Sequence, residues 1–577
     1  MHERKYAAQR LAAGIVLAAL PWLTWAATPA DLIVRSGAIY TMQEKTPWVE
    51  SFAVRDGRFV ASGSNAEIAR LAGPQTRIVD VRGAMVMPGI NDAHIHPLDG
   101  GYEDLFSCNF PPSATLAQVF ARVADCAAKA EPGDWVVGAA WSASLQAEIS
   151  SPAALAALDR ASAGHPVILR DDTFHNRWAN SEALKRAGIS AGSADPAGGV
   201  IDKDAASGLP TGLLKEFPAF LALERQIPPR TRDRQLAAAR AALATLNGVG
   251  ITGVQDAYTT EGMLGVWSQI DRHEGLSVHM VSTLSSMPAA DPAERTGLAL
   301  VAVRENYRGT NLRPDFVKLF LDGVPPARTS DFLQPYLPDA EHGAHFHGKS
   351  NYTLAQLVQL LTQLDKRGIA VKMHATGDGS VRLALDAIEA VRKHNGMPGQ
   401  RHQVAHVNSI AESDIARFAR LNVTAEISPM IWFPSGLGMA SAMAIGKERA
   451  DHMYPVKSLS RSGALVAGGS DWPVGQATPN PWVGIEGLVT RKNPTDGIPG
   501  AMWPEQAVDL ATALRIFSIN SAEAMGLGRQ TGSIEAGKSA DFIVLDRNLF
   551  KVPIEQVHNV EVKQTFFHGR QVFPSHD

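Results

Sequence analysis

Residues 86–97 read VMPGINDAHIHP, an apolar run that ends in His94 and His96, one residue apart and just ahead of Pro97. In an extended strand, side chains at i and i+2 point to the same face. The two histidines therefore share a face at the C-terminal end of a strand. A single His-x-His is read more simply as two incidental polar residues at a strand end, so the rest of the chain has to decide. The first run, AMVMPGINDAH, is followed by GITGVQDA, LSVHMVST, FVKLFLDG, IAVKMHATGD, HQVAHVNS, NVTAEISP and ALVAGGSDWP. Helical patterns rich in Ala and Leu separate them, among them YTLAQLVQLLTQLDKRG, SVRLALDAIEAVRKHNG and AESDIARFARL. Eight strands alternating with helices predict an α/β chain built on a (β/α)8 TIM barrel, with its active site at the C-terminal ends of the strands.

One connection is too long for this rhythm. Roughly residues 99–240 separate the first strand from the second, and they carry their own strand-like runs, DWVVGAAW and HPVILRDD. They are read as an inserted subdomain. Short β-rich runs with Gly and Asp-Gly turns occupy both ends of the chain, from DLIVRSGAIYTM to RIVDVRGAMVMPG and again in GSIEAGKSADFIVLD and VEVKQTFFHGRQVF. The two ends are expected to meet in one small β-sandwich. The predicted divisions are 28–85 and 521–577 for the sandwich and 86–520 for the barrel with its insertion.

Residues 1–27 read as a secretory signal. Arg4, Lys5 and Arg10 precede the apolar LAAGIVLAALPWLTW, and TWAATPA offers small residues for cleavage. An uncleaved anchor fits less well, because the run is short and Pro21 interrupts it. A periplasmic or secreted location follows. Export allows the two cysteines, Cys108 and Cys126, to form a disulfide, and two buried thiols are the alternative. With 577 residues, 45% hydrophobic and 19% charged, the chain is an ordinary globular protein of more than one domain. The net charge of −4, with Lys and Arg dispersed, gives no footprint for nucleic acid.

Other strand ends repeat what His94 and His96 begin. Lys318 sits inside FVKLFLDG, His374 in VKMHATGD, His406 in VAHVNS and Asp471 in GGSDWP. These are corresponding points on strands four, five, six and eight. Buried charges need partners, and one cause that accounts for all six residues is a divalent metal centre, since imidazole and carboxylate suit zinc and similar ions.

On these segments, together with PGINDAHIHP, RHQVAH and the closing GSIEAGKSADFIVLD, the chain resembles the amidohydrolase superfamily of metal-dependent hydrolases, in particular its amidohydrolase 3 (YtcJ-like) branch. The likeness spans nearly the whole mature chain. It implies that His94 and His96 bind one metal and His374 and His406 a second. It also implies that Lys318 is carboxylated by CO2 to a bridging carbamate, and that Asp471 binds the first metal and exchanges protons with water. Zinc is the first choice of ion, with manganese, iron or cobalt also suited, and one ion or two remain open. The implied reaction is hydrolysis of a non-peptide C–N bond, an amide or cyclic amide, in a small-molecule substrate. The same centre suits esters, lactones or phosphoesters, and a non-catalytic periplasmic binding protein is the reading from another class.

Other features carry less. The stretch 532–539, GSIEAGKS, matches a P-loop letter for letter, but a strand-like ADFIVLD follows where a helix is required, so no nucleotide is expected there. His175 matches a histidine that recurs in this branch and is a candidate substrate contact, as is Asp378, close after His374. Asp322 reads as a turn residue before Gly323. Trp141, Trp432 and Trp472 read as packing or pocket wall, and His342, His345 and His347 as a Gly-rich loop.

Overall fold

Gly89 divides the first run into two strands with different partners. The computed structural model describes residues 28–575 except 432, 496 and 497, so the signal-like segment and Trp432 lie outside the described residues. Met85–Pro88 pairs with Ala38–Tyr40 and with Phe542–Leu545 in a sheet made from both chain ends. The next strand, Ile90–Ile95, belongs to the barrel. A Cβ on residue 89 would lie 2.0 Å from Thr252 Oγ1, so only glycine fits where the chain passes from one sheet to the other. The barrel thus starts at residue 90 and not at 86.

The eight-stranded parallel sheet runs β1 (Ile90–Ile95), β2 (Ile251–Thr259), β3 (His279–Ser285), β4 (Leu312–Phe320), β5 (Ala370–Ala375), β6 (Gln403–His406), β7 (Thr424–Ile427) and β8 (Leu465–Gly468), each beside the next. It is a nearly closed, TIM-like barrel. Its ends are brought together at β1 and β8. The Asp471 N–H donates to the His94 carbonyl at 2.7 Å and the His96 N–H to the Trp472 carbonyl at 2.8 Å. The buried Asp92 carboxylate accepts the N–H groups of His94 and Ser470. Helices α1 (Arg232–Gly248), α2 (Glu261–His273), α3 (Leu354–Lys366), α4 (Asp378–Asn395) and α5 (Glu412–Arg420) occupy the connections. Thr353 starts α3 with a capping box completed by Gln356, which satisfies two end groups that would otherwise be orphaned.

The insertion forms a six-stranded sheet of its own, from Cys108–Asn109 to Pro210–Lys215. Its core of Trp141, Trp178, Leu158, Leu169 and Leu213 is separate from the barrel core. Cys108 and Cys126 are joined in a disulfide that ties its edge strand to the helix Leu116–Ala127. Ala238, Ala239, Ala242 and Leu246 of α1 are buried in the barrel core instead, so the insertion ends before α1 and not at residue 240. The chain ends pack as two sheets around Phe52, Phe59, Phe542 and Phe566. Ser521, beyond the expected barrel limit, donates to the Gly468 carbonyl of β8 and so belongs under the barrel. The segment 532–539 runs directly into the strand Phe542–Leu545, and its Ser539 hydroxyl donates to Asp541.

Candidate metal centre

Six residues from five points far apart in sequence converge at the C-terminal mouth of the barrel. His94 lies on β1, while His96 stands one residue past its end, as the cap of the helix Pro97–Phe106. Lys318 is on β4 and His374 on β5; His406 ends β6, and Asp471 follows β8. His94, Lys318, His374, His406 and Asp471 are all buried. The Asp471 Oδ1 atom lies 3.2 Å from His96 Nε2 and 3.5 Å from His94 Nε2. Its Oδ2 lies 3.7 Å from His406 Nδ1, and Lys318 Nζ is 3.4 Å from His94 Nε2. The His406 ring sits 4.6 Å from both the His94 and the His374 rings, centre to centre.

Two of these residues hold a backbone that L-residues rarely adopt. His406 has φ +71° and Asp471 φ +59°. Left-handed conformations cost free energy and persist where the surroundings enforce them. Here the Asp471 N–H bond to His94 is one such constraint.

The electrostatics suit metal ligands. Burial, followed by neighbouring charges, holds His94, His374 and His406 well below the usual histidine range, so the rings are neutral. Burial, and then the Lys372 ammonium, lowers Lys318 from its usual value. Asp471 Oδ1 is buried without a hydrogen-bond partner among the described residues. An orphaned carboxylate oxygen buried beside the Nε2 atoms of two imidazoles is costly unless a cation lies between them. His94, His96 and Asp471 offer ligand atoms within 4.8 Å of one another, and so do His94, His406 and Glu426. The residues therefore fit a divalent metal.

The insertion closes one side. Its turn from Asp171 to Asn176 stacks Phe174 on the His96 ring and brings His175 to 4.8 Å from the His374 ring. Asp171 builds the turn by accepting the Thr173 hydroxyl and both the backbone and side-chain N–H of Asn176. His175 Nδ1 meets Glu216 Oε2 at 2.8 Å. Burial alone would lower His175, but the Glu216 carboxylate outweighs it and the net shift is upward. His175 lines the cleft above the cluster, which has a volume of about 1520 Å³.

Asp378 stands apart from this cleft. It starts α4, and its carboxylate accepts the Leu333 N–H at 2.8 Å. Asp322 accepts the N–H groups of Asp331, Thr376 and Gly377, the work of a turn residue. Trp141 and Trp472 are packed, with their indole N–H groups on the Leu169 and Ala477 carbonyls. His342 and His347 are held by Asp339 and by the Phe332 carbonyl.

Sequence reasoning missed Lys372 and Glu426, both fully buried beside the cluster. Each is a charge inside an apolar strand run, the same signal that singled out Lys318. Glu216 and Phe174 had no such signal, because only the folded insertion brings them to the barrel.

A family model described as amidohydrolase family matches residues 77–573. The N-substituted formamide deformylase of Arthrobacter pascens is 29% identical over 555 residues, covering 93% of this chain and 97% of that protein. The putative amidohydrolase YtcJ of Bacillus subtilis (strain 168) is 28% identical over 555 residues, 94% of this chain and 99% of that one. An uncharacterized metal-dependent hydrolase from Pyrococcus horikoshii shares the fold, with a TM-score of 0.70 and 21% identity over 91% of this chain and 99% of its own.

Proposed function

The chain belongs to the amidohydrolase family, and from that premise we propose that it hydrolyses a non-peptide C–N bond, an amide or cyclic amide, with zinc as its metal. The observation that carries this reading is the buried, unpartnered Asp471 Oδ1 facing the Nε2 atoms of His94 and His96. The similarity to a formamide deformylase supports the choice of bond. His94, His96, His374, His406 and Asp471, with Lys318 as its carbamate, would hold one metal ion or two. When bound, the metal supplies Lewis-acid activation of water and of the scissile carbonyl.

The remaining steps belong to the chain. Asp471 takes the proton shed by the attacking water and returns it to the leaving nitrogen. His175, held through Nδ1 by Glu216 and lining the cleft, would meet the substrate from above the cluster. Phe174 covers one face of the His96 ring. The Lys318 amine, buried beside Lys372 and the imidazoles, is favoured in the neutral form that reacts with CO2, and the carbamate anion matches a cation it would bind.

The reading includes export. The Cys108–Cys126 disulfide supports a periplasmic or secreted location, since such bonds persist in oxidising compartments. The test is a substrate panel of N-formyl and N-acyl amines, cyclic amides, lactones, carboxylic esters and phosphoesters. It is run on zinc-loaded protein, on chelator-stripped protein and on protein reloaded with zinc. Amide cleavage lost on stripping and recovered on reloading is the expected result. Turnover confined to lactones, esters or phosphoesters would replace the C–N assignment, and binding without turnover of any of them would replace the enzyme.

A further inference from the structure

Behind His94, on the side away from Asp471, the barrel interior holds a second charged pair. Glu426 comes from β7 and Lys372 from β5, and both are as fully buried as His94 itself. Glu426 Oε2 lies 2.5 Å from His94 Nδ1. Lys372 Nζ donates to the Ala93 carbonyl at 2.6 Å and lies 3.7 Å from the same Glu426 oxygen. Lys372 is also the register partner of Lys318 across β4 and β5, so the two amines stand side by side in the barrel. Their surroundings separate them. Lys318 faces His94 Nε2, on the cluster side, while Lys372 is committed to Ala93 and Glu426 behind it.

We propose that Glu426 and Lys372 are a positioning pair that orients His94 toward the metal and raises the affinity of the His94–His96–Asp471 position. The inference rests on reading the cluster as a metal centre. A carboxylate on Nδ1 holds the ring proton there and leaves the Nε2 lone pair aimed at Asp471 and Lys318. The same contact fixes the ring plane and makes Nε2 a stronger donor. Lys372 supplies the counter-charge that a carboxylate buried in the barrel requires. His94 is singled out in this way. His374 turns its outer nitrogen to the Gly323 carbonyl, with its nearest carboxylate, Asp322, at 3.9 Å. His96 is held by the Phe174 ring. Glu426 also lies close enough to His94 and His406 to share a metal with them. Its hydrogen-bond distance to Nδ1 assigns it to the ring instead.

The experiment titrates zinc into the full-length protein, stripped of metal, against a chromophoric chelator, with elemental analysis at saturation. The chains compared are wild type, Glu426→Gln, Lys372→Met and the double variant, and the melting of each stripped protein is recorded. Each single variant should bind zinc about 10–100-fold more weakly, the usual worth of such outer partners, with the number of ions per chain unchanged. The double variant removes both buried charges. Its melting temperature should return toward wild type while its zinc affinity stays low. A purely structural pair would behave otherwise, with affinity recovering along with stability, and that result overturns the proposal. So does a Glu426→Gln affinity within about threefold of wild type, far short of the effect expected of such a partner. Loss of one ion per chain in Glu426→Gln would make Glu426 a ligand, which also overturns it. Failure of the wild type to bind zinc would instead remove the metal reading itself.

Discussion

The two ends of the barrel each bury an aspartate among histidines, and they differ in whether that aspartate is satisfied. At the lower end, Asp541 accepts four hydrogen bonds. The Ser539 hydroxyl and the His568 N–H reach Oδ1, and the Thr531 hydroxyl and His279 Nε2 reach Oδ2. Burial would raise the Asp541 carboxyl, but His279 and these bonds outweigh it and hold the group below its usual value. At the mouth, Asp471 faces three imidazoles and its Oδ1 has no partner. Residue composition does not separate the two clusters; hydrogen-bond accounting does. A buried polar group with its partners in place stabilises a fold, and one left open among clustered imidazoles calls for an explanation that a bound cation would supply. Asp541 fastens the chain end to β3 through His279, whereas Asp471 has an oxygen that the proposed metal would satisfy.

The largest expected effect breaks the mouth cluster outright. Lys318→Ala should lose both metal and turnover, by more than the about 10–100-fold typical of outer partners. Lys318→Glu should recover part of the metal by restoring an anion. Elemental analysis and carbon NMR after supply of labelled bicarbonate check this. An active, fully metallated enzyme with an unmodified Lys318 amine would count against the carbamate.

Asp471→Asn comes next. It keeps the shape and removes the base, so kcat should fall by about 10²–10⁴-fold, with a smaller fall in bound metal. A variant keeping half of the wild-type kcat would remove Asp471 from the chemistry.

The opposite end should respond in the opposite currency. Asp541→Asn puts an NH2 where two of the four accepted hydrogen bonds arrive and should cost about 3–5 kcal/mol of stability, at about 1.5–3 kcal/mol for each bond to a charged group, read as a lower Tm, while zinc binding is unchanged. Loss of metal in this variant would erase the distinction between the two ends.

A smaller loss, about 3 kcal/mol for a loop of this length, is expected on removing the Cys108–Cys126 bond, whose sequence separation is 18. Melting of Cys108→Ser/Cys126→Ser against wild type measures it.

Acid should remove the Asp541 contribution gradually in the wild type, the least abrupt of these changes. Asp541 is held below its usual 3.8, so its contribution is complete above about pH 4 and is lost as pH falls through the lowered value. Stability of wild type and Asp541→Asn between pH 2 and 6 should converge at the acid end.

Much of this site is legible because strands obey a period of two and barrel sites lie at strand ends. Lys318 inside an apolar run is informative by itself, because a buried charge demands a reason. Lys372 and Glu426 carry the same signal, and their importance lies in which side of His94 they occupy, which no local pattern encodes. The sequence by itself determined the order of eight strands, the long excursion after the first, the pairing of the chain ends and the residues that converge at the mouth. All of these follow from spacing along the chain and from the cost of burying charge. Only the tertiary structure decided that Gly89 hands the chain from one sheet to another and that α1 belongs to the barrel. It alone joined Cys108 to Cys126, turned Asp378 toward a loop and left Asp471 Oδ1 without a partner. Those outcomes depend on distances between residues far apart in sequence, and such distances are set by packing and hydrogen-bond closure rather than by any local preference.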